Sequence, residues 1–157
     1  MKSYISKNGV SIIVSKRFHE HCQVNDKLLQ EAILGESKQI EDAFKEGRKE
    51  TFTHTFDSTI GVSHCIPCPP HSDGVYFKRR GNRPYLSRMV KGEPIPTSSL
   101  TFVLYPMKEG MTLITAWVGD KSYPEIGNIN RFEEEENPIE RMKESVVFWM
   151  NHALVEE

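Results

Sequence analysis

The sequence predicts a single α+β domain over residues 1–157: N-terminal helices packed on a curved, mostly antiparallel sheet, with a C-terminal helix. Three observations carry that expectation. Apolar residues recur at helical spacing from Val24 to about Arg48, the period changes to two from Glu50, and a helix-start signature stands at Asn137-Pro138-Ile139-Glu140. A hairpin and helices therefore fill 1–48, the sheet 50–119 and the last helix 137–152.

Taken in order, residues 4–14 alternate around Asn8-Gly9, a strong short-range hairpin signal. Tyr4 and Ile5 make one arm; Val10, Ile12, Ile13 and Val14 make the other. In the helical stretch, Leu28, Leu29, Ala32, Ile33, Ile40, Ala43 and Phe44 share the apolar spacing, with Asn25 as the start cap and Gly47 as the stop. Gly35 divides this stretch into two helices, since a mid-helix glycine costs about 1 kcal/mol against alanine. Strands are expected over 51–56, 74–79, 99–105 and 111–118, the last two as a hairpin around Lys108-Glu109-Gly110. Residues 64–73 hold three prolines and are expected to be irregular; 84–98 hold three more, with Gly92, and read as a long loop. At the last helix Asn137 caps, Pro138 takes the first position, and Glu140 reaches back as in a capping box. Ile139, Met142, Val146, Trp149 and Met150 then form its apolar face.

Length suits one domain with a proper core. Acids outnumber bases by 22 to 20, so the surface as a whole does not attract nucleic acid. Distribution matters more than the sum. Residues 78–91 carry Lys78, Arg79, Arg80, Arg83, Arg88 and Lys91 and no acid, whereas Phe132 is followed by the run Glu133 to Glu136. Such an acidic run is a solvated loop or a patch that meets a regulatory protein partner. No apolar stretch approaches the ~20 residues that span a bilayer, and no signal-peptide core follows the first residues. No membrane association and a cytoplasmic address are expected. Three cysteines, an odd count without a secretory signal, argue against a disulfide framework.

The chemistry-bearing residues begin with His54, in the run Thr51-Phe52-Thr53-His54-Thr55-Phe56. An imidazole titrates near pH ~6.5, so it can act as general base and acid; the alternative is a histidine bonded to backbone. Arg80 and Arg83 flank the turn Gly81-Asn82, and Arg88 lies beyond Tyr85. Guanidinium forks interleaved with Tyr76, Phe77 and Tyr85 fit phosphate gripping with base stacking. Thr115, beside Trp117 in a late strand, could donate to a nonbridging phosphate oxygen, although threonine there also serves simple β propensity. The competing constellation is His64-Cys65-Ile66-Pro67-Cys68-Pro69-Pro70-His71, in which Cys65, Cys68 and His71 are the weak metal alternative. Structural zinc normally takes a second ligand pair from a distant segment, for which His19-Glu20-His21-Cys22 is the candidate. The spacings match no standard finger or ribbon, so no metal and no cofactor is the primary expectation.

From His54 to Val155 the chain resembles an uncharacterised bacterial and phage family of small proteins in the barnase–EndoU–colicin–RelE class of RNase folds. The stretches concerned are residues 54–61, 75–83 and 87–90, then Pro96-Thr97-Ser98, residues 113–119, and the tail Phe148-Trp149-Met150-Asn151-His152-Ala153-Leu154-Val155. The resemblance implies His54 as acid–base group, Arg80, Arg83 and Arg88 as phosphate ligands, and Thr115 as oxyanion donor. Trp117 and Tyr123 depart from the pattern, so substrate preference does not carry over. The function expected is a metal-independent endoribonuclease-like protein that cleaves RNA by acid–base transesterification, an activity often found in toxins. The alternatives are a noncatalytic module that binds nucleic acid or an acidic partner, and a small zinc-stabilised domain.

Overall fold

The computed structural model describes residues 3–21 and 24–157, the side chains of 19–21 excepted. The candidate second metal pair at His19–Cys22 thus lies outside the described side chains. Along the chain run β1 (Ser3–Ile5), β2 (Ser11–Val14), α1 (Lys16–His21), α2 (Asp26–Gly35), α3 (Ser37–Glu46) and β3 (Glu50–Thr55). Then come β4 (Gly61–Ser63), β5 (Cys65–Pro67), β6 (Val75–Arg79), β7 (Leu86–Lys91), β8 (Ile95–Thr97), β9 (Ser99–Pro106) and β10 (Met111–Val118). The chain ends with α4 (Ile129–Glu133), α5 (Pro138–Met150) and β11 (His152–Glu156).

One curved, mostly antiparallel sheet under N-terminal helices is not what forms. The strands make three sheets, ordered β1-β2-β10-β9-β3, β5-β11-β7-β6 and β4-β8. Both larger sheets are mixed: β2 runs parallel to β10, and β11 parallel to β7. The physical reason is long-range pairing, such as that of β2 with β10, together with short strands in segments expected to be irregular. β5 lies in 64–73, β7 and β8 lie in 84–98, and β11 begins at 152, where the expected last helix ends. Contacts divide the chain into two compact units, Met1–Gly61 with Thr97–Lys121, and Val62–Pro96 with Ser122–Glu157.

In the first unit, α2 and α3 pack their apolar stripes on one face of the five-stranded sheet. Leu29, Ala32, Ile33, Ile40 and Ala43 are buried there with Phe52, Leu100, Phe102, Leu104 and Leu113. Phe52 and Phe102 stack across β3 and β9, with ring centroids 5.3 Å apart. The Asn25 side chain accepts from the backbone N–H of Lys27 and Leu28, satisfying donors that the first helical turn leaves open. Gly47 closes α3 in the left-handed conformation (φ 66°), which glycine adopts without a Cβ penalty.

In the second unit, β11 is interior to its sheet, pairing with β5 on one side and β7 on the other. Ala153 and Val155 are buried accordingly. α5 begins at Pro138 as expected, but Asn137 makes no side-chain cap bond, so the capping box is not closed. Its buried positions are Ser145 and Trp149, whereas Ile139, Met142, Val146 and Met150 are exposed. The helix buries the stripe that includes Ser145 and Trp149, and leaves most of the expected apolar face open. Among the described residues no helix is long and apolar enough to cross a membrane.

Candidate functional site

His54 lies near the end of β3, opposite Leu100 of β9. Period two puts it on the same sheet face as Phe52, beneath the joint of α2 and α3. That joint supplies its partner. Glu36, between the two helices, places Oε2 2.8 Å from His54 Nδ1, and the two side chains are similarly shielded, at 22% and 21% exposure. Phe56 meets the imidazole edge-on, with centroids 4.8 Å apart. Gly35 is required by this approach: a Cβ there would overlap the ring, 2.8 Å from Nδ1. Glycine at this point thus ends α2 and admits the imidazole. A carboxylate accepting from Nδ1–H leaves Nε2 with its lone pair, the tautomer a general base needs.

Glu36 was not among the residues singled out from sequence. The signal that could have found it is a carboxylate directly after a helix-breaking glycine, but its partner is 18 residues away on a strand.

Thr115 belongs to the same unit but not to the same face. It stands opposite Val103, with Trp117 opposite Thr101, whereas His54 stands with Leu100 and Phe102 on the alternate register. Thr115 and His54 therefore project to opposite sides of the sheet. The irregularity between Leu113 and Thr115 shifts the register without reversing that outcome. On the Thr115 side, Thr53 and Thr101 bridge their hydroxyls at 2.9 Å, and Thr101 Oγ1 donates to the Gly119 carbonyl at 2.8 Å.

The arginines fall in the second unit, and they divide by what they already hold. Arg80 donates from Nε to Ser87 Oγ at 3.0 Å and from Nη2 to Glu125 Oε2 at 3.0 Å. Arg88 donates to the carbonyls of Cys68 (2.6 Å), His152 (2.9 Å) and Pro69 (3.0 Å). That fork sews the 68–69 segment to the start of β11. Arg83 is exposed and makes only a long bond, 3.4 Å, to the Arg80 carbonyl. Of the three, Arg83 presents its guanidinium most openly.

Cys68 is buried, its N–H donating to Asn151 O at 2.7 Å, and His71 is exposed with φ 66°. Among the described residues no three His, Cys, Asp or Glu side chains gather as a metal site requires. The acidic run is partly used internally, with Glu134 near Arg131 (3.4 Å) and Glu135 near Arg141 (3.8 Å).

Two concavities of the second unit also went unforeseen. One, about 500 Å³, is lined by Tyr123, Lys143, Phe148 and His152, with His152 stacked on Phe148 at 4.0 Å. The other, about 270 Å³, is lined by Phe77, Leu86, Arg88, Glu125, Trp149 and Met150 among others. Comparison with protein families, with curated proteins and with solved structures finds no match, and none of them links the chain to a ribonuclease family.

Proposed function

We propose that the protein is an RNA-cleaving enzyme in which His54, held by Glu36, is the acid–base group. The observation that carries this reading is the His54–Glu36 pair: a carboxylate 2.8 Å from Nδ1, on a half-buried ring packed edge-on against Phe56. Such a partner fixes the tautomer and stabilises the imidazolium that forms when Nε2 takes a proton. In transesterification the ribose 2′-hydroxyl gives its proton to Nε2 and O2′ bonds to phosphorus. The P–O5′ bond breaks, and the leaving oxygen takes a proton from the imidazolium or from water. A 2′,3′-cyclic phosphate results. The arginines belong to the second unit, where Arg83 offers its guanidinium to RNA phosphate and Arg80 and Arg88 frame its loop; Thr115 has no part in the His54 face.

The test is incubation of the purified protein with single-stranded RNA and with tRNA, in chelator and in magnesium. Fragments ending in cyclic phosphate are expected in both buffers. His54→Ala should slow cleavage by about 10²–10⁴-fold. Gly35→Ala should impair it as well, because the new Cβ displaces the ring from Glu36 without touching the rest of β3. Intact RNA in both buffers, or a His54→Ala variant as fast as the parent, overturns the reading.

A second reading has an observation of its own. Arg79 and Arg83 are exposed in a stretch, residues 78–91, that carries no acid, which suits a basic surface built to bind rather than to cleave. Salt-dependent RNA binding with no cleavage would favour it.

A further inference from the structure

We propose that the 270 Å³ groove of the second unit is a stacking subsite for one base of single-stranded RNA. The inference deepens the RNA reading above and depends on it for the choice of polymer. Phe77 and Arg79 on β6 stand opposite Arg88 and Leu86 on β7, so these four side chains share one face of the hairpin. Phe77 is 64% exposed and Leu86 61%, large values for apolar side chains on a regular sheet. Ile126 and Met150 add exposed apolar walls, and the buried Trp149 lies behind them. A flat aromatic with apolar walls is a platform for a heterocycle.

Charge selects the occupant. The hairpin bearing Phe77 carries Arg79 and Arg83, both exposed, and no acid between residues 78 and 91. An anionic polymer is drawn to such a rim, and an unstacked base can enter beside it. Glu125 is committed to Arg80 through Oε2 and its Oε1 is closed to solvent, so the subsite takes a base by its face and not by its edge. Stacking strength then favours the larger purine ring over uracil.

Fluorescein-labelled hexamers of adenylate, cytidylate and uridylate test this by anisotropy on the full-length His54→Ala protein, which removes cleavage from the measurement. The adenylate hexamer should bind several-fold more tightly than the uridylate hexamer, because its base has the larger stacking face. Phe77→Ala should weaken adenylate binding by about tenfold with an unchanged melting temperature, since the ring is mostly exposed. Arg79→Gln should reduce the salt dependence of binding by about one phosphate contact. Equal affinity of parent and Phe77→Ala overturns the subsite, as does an acidic peptide that displaces the oligonucleotides through Phe77 while the oligonucleotides show no base preference. The two readings separate cleanly. Tight, Phe77-dependent binding by a protein that leaves RNA uncut keeps the subsite and removes the ribonuclease; cleavage unaffected by Phe77→Ala, with unchanged affinity, does the reverse.

Discussion

At the scale of single residues, Glu156 shows how a few contacts set the acid limit of a fold. Its carboxylate accepts from Tyr76 and Lys78, and from Lys91 at 3.0 Å. The Lys78 hydrogen bond first, then those of Tyr76 and Lys91, lower its pKa from the ordinary carboxyl value to about 2. The same contact raises the Tyr76 phenol, whose hydrogen bond to Glu156 favours the neutral form. The folded state thus holds the Glu156 proton less tightly than the unfolded chain. Its stabilisation is present above the ordinary carboxyl pKa and is lost as pH falls from about 4.5 toward 2. Glu41, lowered by Ser6 and Asn8, declines in the same direction, so the parent's acid profile alone does not isolate Glu156. The difference between parent and Glu156→Gln does. Thermal melts should show the parent more stable at neutral pH, with the gap closing as pH approaches 2. A gap that persists at pH 2, or widens there, contradicts the assignment.

At the scale of elements, Arg88 decides between a structural and a phosphate-binding role. Its guanidinium spans three carbonyls belonging to the 68–69 segment and to β11. A lysine keeps the charge but cannot hold three acceptors in that fork. Arg88→Lys should therefore destabilise the protein by about 2–3 kcal/mol, the scale of a lost hydrogen bond to a charged group. Denaturant unfolding measures this. A variant as stable as the parent but weaker in RNA binding would return Arg88 to the phosphate set. The elements that sequence predicted well are those with local causes. Asn8-Gly9 turns β1 into β2, Asn25 caps α2, Gly47 ends α3, and 108–110 join β9 to β10. β7 and β11 were hidden for a physical reason. Leu86–Lys91 follows Pro84 and a basic turn, and His152–Glu156 continues a helical run, so neither has a local pattern that outweighs its neighbours. Their pairing is parallel and long-range, which no window of sequence contains. The site follows the same division. The strand-like run around His54 marked the imidazole, but Glu36 reaches it only through the packing of the α2–α3 joint.

For the molecule as a whole, the chain passes from one unit to the other after Gly61, after Pro96 and after Lys121. The first unit is therefore discontinuous in sequence, and its two pieces are not equivalent. Residues 1–61 supply β1, β2, the first three helices and β3, but β10 and β9 stand between β2 and β3 in the sheet. Without them Leu29, Ile33 and Phe52 lose Leu100, Phe102, Leu104, Met111 and Leu113 from a shared core. A fragment ending at residue 61 should be unfolded by circular dichroism. Splicing is a different matter. The Ile60 N–H donates to the Thr97 carbonyl at 2.9 Å, so the chain ends left by removing 62–96 are already adjacent. A linker of about four residues in place of that insert shortens the loop by roughly three doublings, which favours closure by about 2 kcal/mol. Residues 1–61 so joined to 97–121 retain every strand of the five-stranded sheet and the whole apolar cluster between it and the helices. Such a chain should melt cooperatively and keep the His54–Glu36 pair, read as one histidine ring resonance sensitive to Glu36→Gln. If the spliced chain is as disordered as the 1–61 fragment, the sheet and its helices do not suffice as a folding unit, and the stability of the site must come from elsewhere in the chain.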